Sequence, residues 1–399
     1  MKKKLIYSLA TAMLFSLSTI SFAQDDLINK VKDQGSENVE KKFGFEIIKD
    51  ITATEVKNQA HSGTCWSYAT SSFVESEMAR NGKEPVDISE MFTVRQVYLD
   101  KGEKYVRLEG HLNFAQGGAL PDVLYVMKKY GAVPEEAFKG LNYGETKNKH
   151  SELESVLKGI LDAVIKNPNK RLTTAWKPAF EAALSAYLGN YPEKFDYKGK
   201  SYSPRTFADK VIGINPDDYV QLTSFTHHPF YSEVFIEVPD NWTWGTSYNI
   251  PLDEMQNAVN NALKNNFTIS WAADVSEKGF SLKNGVAILP YKAYDDLSKE
   301  EKETLFDGPQ EEMQVNAEIR QLAYDNYETT DDHAMHITGK AKDKNGKEYF
   351  LVKNSWGDRE NDYRNGYLFV SENYFRYKTI SVLLHKDALS KDLTKKLKL

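Results

Sequence analysis

Residues 56–67 read VKNQAHSGTCWS and end in a thiol at the start of an apolar helical pattern. Cys65 is the single cysteine of the 399-residue chain. At the start of a helix, unpaired N–H groups and the positive end of the dipole favour the thiolate form of such a residue. Six residues earlier, Gln59 carries an amide that could join the Cys65 N–H as a second donor to an oxyanion. The stretch therefore predicts a cysteine nucleophile, and the alternative is a small buried core residue.

Three helices are predicted around and after this thiol. The first carries Cys65 at its start and ends before a glycine, which stops the helical pattern. The second has Asp87 or Ser89 as its N-cap, and the third follows the pair Gly117-Gly118. Their predicted ranges are 64–80, 89–98 and 120–130.

Residues 1–23 have the pattern of an export signal. Three lysines open the segment, a mostly apolar run covers residues 5–20, and a small-x-small site ends at Ala23. The apolar run is short and rich in Ser and Thr, which argues against a transmembrane span. We therefore predict a cleaved signal peptide and a periplasmic or extracellular protein without stable membrane insertion. An uncleaved anchor is the alternative.

Export makes the cysteine count informative. Exported domains commonly use disulfides, and one cysteine can form none within the chain. The roughly 375 residues that remain after cleavage can bury about three quarters of their unfolded surface, so their core suffices for stability. A lone thiol in an oxidising compartment is open to oxidation. Its presence there favours a catalytic role over a place in the core.

Composition and charge indicate an ordinary soluble enzyme. The chain is 41% hydrophobic and 27% charged, and its net charge is −6. Loss of the three lysines of the signal peptide makes the mature chain more acidic, near −9. No basic patch stands out, so nucleic acid is not expected as a partner. The aromatic content of 12% suits a peptide-binding groove or a large interface.

Two further regions follow the helical start. Residues 144–251 show long amphipathic patterns, with helices predicted at 151–165 and 176–188, and are interpreted as an inserted helical region. The last third is rich in strand-like runs separated by turn signals such as Asn345-Gly346. Helices first and strands last predict an α+β fold with a helical lobe and a β-rich lobe. The predicted strands cover residues 268–272, 333–339, 348–353, 366–370 and 379–385.

A thiol nucleophile needs a base and a group that orients the base. The strand-rich third offers His333 and His336, which point to opposite faces of a regular strand, so one alone can meet Cys65. We choose His333 because it begins its strand, where a strand end opens onto a cleft, and predict that His336 is structural or solvated. Asn354, on the next strand, can accept a hydrogen bond from the imidazole, and Trp356 can cover that bond from water.

The other histidines are weaker candidates. His61 is close to Cys65 in sequence and could help to bind substrate. None of the remaining histidines has a metal-ligand spacing with a carboxylate partner, so no metal is expected. They are predicted to be surface or satisfied residues: His111, His150, His227, His228 and His385.

Together these residues resemble the papain-like cysteine peptidases, and within them the bleomycin hydrolase and aminopeptidase C branch, peptidase family C1B. The resemblance extends over nearly the whole chain after residue 23 and rests on four blocks in family order. The blocks are Asn58-Gln59 to Cys65-Trp66, Gln116-Gly117-Gly118, His333-Ala334 and Asn354-Ser355-Trp356-Gly357.

The spacing of the blocks separates this chain from compact papain-like enzymes. In those enzymes the histidine and the asparagine follow the cysteine by about 130–150 residues. Here His333 lies 268 residues after Cys65, and Asn354 lies 289 residues after it. The excess of roughly 120–140 residues over that spacing matches the helical region predicted at 144–251. The resemblance thus implies a papain-like domain over residues 24–399 with a large helical insertion.

The resemblance implies a catalytic role for four residues. Cys65 would be the nucleophile, and His333 would act first as general base and then as general acid. Asn354 would orient His333, and Gln59 would be the oxyanion donor. Peptide bonds would be hydrolysed through a thioester, without a metal or an organic cofactor.

Substrate binding is implied for three further residues. Gly117 and Gly118 would lie where the family pairs with the substrate backbone, a place that tolerates no side chain. A simple loop before a helix is the alternative for this pair. Trp356 is also assigned to substrate binding, in addition to its cover over the histidine.

Members of this branch are typically aminopeptidases, because a C-terminal arm blocks one side of the cleft, and they typically assemble as hexameric rings. The tail here, residues 385–399, is basic and shorter than the usual arm. An aminopeptidase acting on peptides is therefore the first prediction, and a dipeptidyl peptidase or endopeptidase of the same fold is the alternative. A non-peptidase thiol acyl-transferase and a non-catalytic peptide-binding relative are further alternatives. Gln59 and the block around Asn354 argue against the acyl-transferase, and the presence of all four catalytic residues argues against the non-catalytic relative.

Overall fold

The computed structural model of the chain describes residues 42–357 and 366–399. The predicted signal peptide, residues 1–23, lies outside the described residues. Within the two described ranges, no helix has both the length and the apolar character needed to cross a bilayer.

Helices dominate the first half of the described chain and recur between the strands of the second half. Some begin at a residue whose side chain accepts a hydrogen bond from the first turn, as Ser89 does from the Phe92 N–H at 3.1 Å. Their bounds are α1 Cys65–Arg80, α2 Glu90–Arg107, α3 Asp122–Tyr130, α4 Ser151–Ile165, α5 Trp176–Leu188, α6 Pro204–Phe207, α7 Leu252–Lys264, α8 Lys299–Glu303, α9 Ala317–Asp325, α10 Glu372–Lys378 and α11 Lys391–Leu397.

The strands are β1 Glu46–Asp50, β2 Phe195–Tyr197, β3 Lys200–Tyr202, β4 Tyr219–Thr223, β5 Ser232–Phe235, β6 Thr246–Asn249, β7 Ile269–Ala273, β8 Phe280–Ser281, β9 Val286–Ala287, β10 His333–Lys342, β11 Glu348–Lys353, β12 Tyr367–Ser371 and β13 Thr379–His385. All but β2 and β3 belong to one mixed sheet in the order β5-β6-β4-β13-β7-β10-β11-β12-β9-β8, with β1 beside β10. Neighbours are antiparallel except for the β4–β6 and β9–β12 pairs.

Adjacent residues of the central strands face opposite sides of the sheet, which produces a hydrophobic core on each face. On β7, Ala272 packs with helices α1 to α5 in what we call the first core, whereas Trp271 packs with α7 and α10 in the second core. Ala334 and Met335 of β10 divide between the two cores in the same way. Because both faces are covered, these strands are buried along most of their length.

Several predicted elements are confirmed in their positions. The helices at 151–165 and 176–188 and the strands at 348–353 and 379–385 have the predicted bounds. Helix α2 is longer than predicted and reaches Arg107, and Ser89 rather than Asp87 caps it. Strand β10 continues to Lys342 because β1 and β11 both pair with its far end.

The second half of the region 144–251 differs from its predicted helical character. Helices α4 and α5 fill the first half, but residues 195–249 contain the β2–β3 hairpin and strands β4, β5 and β6, with only the short helix α6 and one further helical turn between them. Strand β4 pairs with β13, and β6 and β5 extend the sheet beyond it. Short runs rich in Tyr, Val, Thr and Phe form strands readily where a sheet edge offers partners, and this outweighs a weak helical pattern.

Candidate active site

Cys65 is the first residue of α1 and lines a cavity of about 250 Å³. Helix α1 is buried from Cys65 to Met78 because it packs between the sheet and helices of the first core. The Cys65 N–H belongs to the first turn, whose donors have no acceptor within the helix. The thiol therefore meets the cavity at the donor-rich end of a buried helix.

His333 begins β10 and lines the same cavity. Its Nε2 lies 2.8 Å from the Oδ1 of Asn354, the residue that follows β11. An amide oxygen can only accept, so Nε2 carries the proton and Nδ1 of the neutral ring is an acceptor. No described residue pairs with that Nδ1, although His333 is only 2% exposed. The ring is thus oriented to receive a proton within the cavity that Cys65 lines.

Trp356 covers the hydrogen bond between His333 and Asn354. Its ring stacks on the His333 ring, with centroids 4.3 Å apart and planes 29° from parallel. The Asn354 Oδ1 also accepts from the Ser355 N–H at 2.8 Å, which fixes the amide. Shielding from water strengthens such a network. Trp356 does not line the cavity, so its geometry supports the covering role that the sequence predicts.

Burial keeps the two reactive groups uncharged in the structure. It raises the pKa of the Cys65 thiol to about 12, against a backbone hydrogen bond from Ala334 that lowers it. Burial also lowers the pKa of His333 to about 4, against the hydrogen bond to Asn354. Loss of water disfavours the charged form of each group. The resting pair is therefore a thiol and a neutral imidazole.

Gln59 is fully buried and is held by both sides of the site. Its Oε1 accepts from the Ser355 hydroxyl at 2.7 Å, and its Nε2 donates to the Ser62 carbonyl oxygen at 2.8 Å. The Gln59 N–H also donates to the Ser355 carbonyl oxygen at 2.8 Å. An amide nitrogen has two hydrogens, so one of them remains for a further acceptor.

The loop around Gly117 and Gly118 forms another wall of the cavity. Gln116 connects it to α1, because its Oε1 accepts from the Gly63 N–H at 2.6 Å. A Cβ on Gly118 would lie 2.7 Å from the Trp66 ring, and one on Gly117 would lie 1.9 Å from an oxygen of Asp240. Neither position has room for a side chain.

Two acidic residues of the cavity were not predicted from the sequence. Asp240 comes from the segment 236–246, which runs from the end of β5 to the first residue of β6 and forms part of the cavity wall. Asp331 lies two residues before His333 and lines the cavity as well. The acidic pair at residues 331–332 directly before the histidine was a signal for Asp331. No sequence signal places Asp240 beside the other residues.

The remaining histidines stand apart from the cavity. His336 is buried, and its Nδ1 lies 2.9 Å from the Ser72 hydroxyl, which confirms a structural role. His61 is exposed, and its backbone N–H donates to the Asn148 carbonyl oxygen. The prediction that His150 is a surface or satisfied residue is wrong, because it is buried and no described residue pairs with either ring nitrogen. Burial lowers its pKa to about 4.

Within the described ranges, His227, His228 and Glu237 form a group whose ligand atoms could hold a metal ion. Both imidazole Nε2 atoms lie within 3.3 Å of the Glu237 carboxylate. Gln321 donates to His227 Nδ1 at 2.9 Å, so Nε2 of that ring carries a proton and donates to Glu237. Hydrogen bonds therefore account for the geometry of the group.

The C-terminal tail lies away from the cavity. Helix α11 places Leu393 and Leu397 in the second core, and Lys396 pairs with Glu254 of α7 at 3.0 Å. No residue after Ser381 lines the cavity.

A thiol at a helix start that shares a cavity with a strand-borne imidazole is the arrangement of the papain-like cysteine peptidases, and this chain has their α+β fold. The family model described as Peptidase C1-like family matches residues 9–399. The chain belongs to this family and is a cysteine-type peptidase.

Similar proteins cover almost the full chain. Aminopeptidase C of Streptococcus thermophilus is 23% identical, over 91% of this chain and 87% of its own. Aminopeptidase G of Lactobacillus delbrueckii subsp. lactis is 23% identical, over 86% of this chain and 83% of its own. The solved structure of PepW from Lactobacillus rhamnosis HN001 is 21% identical and covers 94% of this chain and 91% of its own, with a TM-score of 0.69, so the two proteins share a fold.

Proposed function

We propose that this peptidase is an aminopeptidase, which releases N-terminal residues from peptides through a thioester on Cys65. The proposal rests chiefly on the His333 ring, whose Nε2 is bonded to Asn354 while no described residue pairs with its Nδ1 in the cavity that Cys65 lines. The similar proteins named aminopeptidase C and aminopeptidase G support action at the N-terminal end.

In the first half-reaction, the Cys65 sulfur attacks the carbonyl carbon while its proton passes to His333 Nδ1. The oxyanion of the tetrahedral intermediate accepts from the Cys65 N–H and from the remaining Nε2 hydrogen of Gln59. The C–N bond then breaks, and His333 returns the proton to the leaving amine. The products are a thioester and a shortened peptide.

In the second half-reaction, water attacks the thioester carbonyl and gives a proton to His333. The same two donors stabilise the second oxyanion. Breaking of the C–S bond releases the acid, and the sulfur recovers its proton from His333. Asn354 holds the ring in one tautomer through both halves, because its Oδ1 accepts from Nε2.

The test compares one peptide carrying a free N-terminus with the same peptide acetylated. We expect successive loss of single residues from the free form, little turnover of the acetylated form, and no turnover of either by a Cys65→Ala variant. Product masses read the outcome directly. Equal cleavage of the acetylated peptide would exclude an obligatory aminopeptidase, and unchanged turnover by the variant would remove Cys65 from the mechanism.

A dipeptidyl peptidase or endopeptidase of the same fold is the second candidate. It is favoured by the position of α11, which packs on the second core, so that no tail residue lines the cavity. Because the tail lies outside the cleft, it does not limit how far a substrate extends beyond the cleaved bond. Release of dipeptides or of internal fragments in the same assay would support this candidate.

We also propose export and self-assembly for this chain. The pattern of residues 1–23 supports a cleaved signal and a periplasmic or extracellular location, and the resemblance to the bleomycin hydrolase branch supports a hexamer. N-terminal sequencing of the mature protein should begin at Gln24, and light scattering should give six times the chain mass. An intact Met1 or a monomeric mass would contradict the respective part.

A further inference from the structure

One wall of the cavity is a segment that the mechanism above does not use, residues 236–246. Asn241 holds the segment in shape, because its Nδ2 donates to the carbonyl oxygens of Ile236 and Gly245 at 3.1 and 3.0 Å. Trp242, which is 3% exposed, donates to the Asp122 carboxylate of α3 at 2.7 Å. The segment is thus a braced wall rather than a loose loop.

Asp240 reaches from this wall to Gly117. A Cβ on Gly117 would lie 1.9 Å from Oδ2 and 2.4 Å from Oδ1 of Asp240, so the carboxylate lies directly against the glycine. The family resemblance places the substrate backbone along this glycine. A residue further upstream in a long substrate would meet the Asp240 side chain there. The cavity beside Gly117 therefore has room for the N-terminal residue of a peptide but not for a longer upstream segment.

Asp331 and Asp240 share the cavity with the reactive groups. The charge of each carboxylate raises the pKa of the Cys65 thiol, after the larger effect of burial, so both lie within electrostatic reach of the sulfur. His333 independently marks the same cavity as a ligand site, because it is 2% exposed and no described residue pairs with its Nδ1. The two carboxylates thus line the same cavity as the catalytic residues.

Compensation of the two carboxylates is unequal. Lys101 attracts Asp240, and Asn113 donates a hydrogen bond to the Asp240 Oδ1 at 3.3 Å. Burial and then the charge of Asp240 raise the pKa of Asp331 to about 8, and no cation among the described residues opposes this. A cation bound beside the two carboxyl groups would favour their charged forms and would be attracted by them.

We propose that Asp240 and Asp331 bind the α-ammonium group of the substrate's N-terminal residue. An ammonium has three donors, and hydrogen bonds between an ammonium and a carboxylate are roughly twice as strong as neutral ones. The pair would then set the distance from the N-terminus to Cys65, and it would do so from inside the domain rather than from a C-terminal arm. This inference rests on the proposed aminopeptidase function and names what enforces it.

Binding of the ammonium has a second consequence for Cys65. Its positive charge offsets part of the negative charge with which the carboxylates oppose ionisation of the thiol. A substrate with a free N-terminus therefore favours the thiolate that attacks it, whereas an acetylated substrate does not. The free-amine and acetylated substrates should consequently differ in kcat as well as in KM.

The experiment measures kcat and KM for leucyl-aminomethylcoumarin amide, its N-acetyl form and lysyl-aminomethylcoumarin amide. Asp240→Asn and Asp331→Asn keep the side-chain shape and remove the charge, and Glu237→Gln is the matched control. Glu237 lies on the same segment but faces His227 and His228. We expect kcat/KM for the free amine to fall roughly 30-fold or more in each cavity variant, with little change in the control. Alkylation of Cys65 by iodoacetamide checks that each variant retains its site.

Three results would overturn the inference. Wild-type preference for the free amine in both cavity variants would show that the carboxylates do not bind the ammonium. Loss confined to substrates with an N-terminal Lys or Arg would assign the pair to a basic side chain instead. Equal cleavage of both forms by the wild-type enzyme would refute the aminopeptidase function itself, and this result is read without any variant.

Discussion

The Nε2 atom of His333 lies 2.8 Å from the Oδ1 atom of Asn354, although the residues are 21 positions apart. The antiparallel pairing of β10 and β11 explains this, because the start of one strand lies beside the end of the other. The strand pair thus brings the base close to its orienting amide, and β7, Ser355 and Trp356 complete the arrangement.

Replacement of Asn354 by alanine should lower kcat by roughly 10²-fold, the lower end of what a well-placed acid–base group contributes. The imidazole would lose the partner that fixes its tautomer, whereas the cavity walls would remain. Steady-state kinetics with a free-amine substrate measures this, with KM expected to change little. An unchanged kcat would show that Trp356 alone suffices to orient the ring.

A Gly117→Ala variant should lose most of its activity. The new methyl group would lie 1.9 Å from Asp240 Oδ2, so the wall or the loop must move. Gly159→Ala is the control, because a Cβ there meets no atom within 4 Å, and alanine in a helix is favoured by about 0.5–1 kcal/mol. Activity and the midpoint of thermal unfolding should fall in the first variant, and stability should rise in the second. Full activity of Gly117→Ala would contradict the packing described here.

Buried histidines should make the fold sensitive to acid. Burial lowers the pKa of His150 from its ordinary value of 6.5 to about 4, so the unfolded chain binds its proton first. Stability from this residue is complete above pH 6.5 and is lost as the pH falls towards 4, by about 3 kcal/mol. A His150→Leu variant should therefore lose less stability than the wild type between pH 7 and pH 4. Urea unfolding at both pH values measures the difference, and equal losses would contradict it.

Deletion of residues 391–399 should lower stability but leave the choice of substrate unchanged. The deletion removes Leu393 and Leu397 from the second core, and large-to-small changes at such sites typically cost 2–5 kcal/mol. No tail residue lines the cavity, so the preference for a free over an acetylated N-terminus should persist. Leu393→Ala is the control for the packing effect alone. Loss of the preference in the deletion variant only would assign the restriction to the tail.

The sequence allowed prediction of the parts whose signals are local. A thiol at a helix start, a histidine at a strand start and an asparagine at the next strand end each have a pattern of neighbours, and Gln59 lies six residues from Cys65. The strands at 348–353 and 379–385 were predicted because apolar runs bounded by turn residues have few alternatives. The mixed character of residues 195–249 was not predicted, because those short strands depend on the edge offered by β13.

The chemistry of the thiol, the imidazole and the amide was thus readable from residue types and spacing, since each depends on a short stretch and on the periodicity of one element. Their protonation and the shape of the cleft were not readable. Burial of Cys65 and His333 disfavours their charged forms, and that burial exists only once the two cores have packed. Likewise, Asp240 meets Gly117 only because a distant segment folds back across the cavity. Contacts between residues so far apart in sequence are set by tertiary packing, which no local pattern encodes.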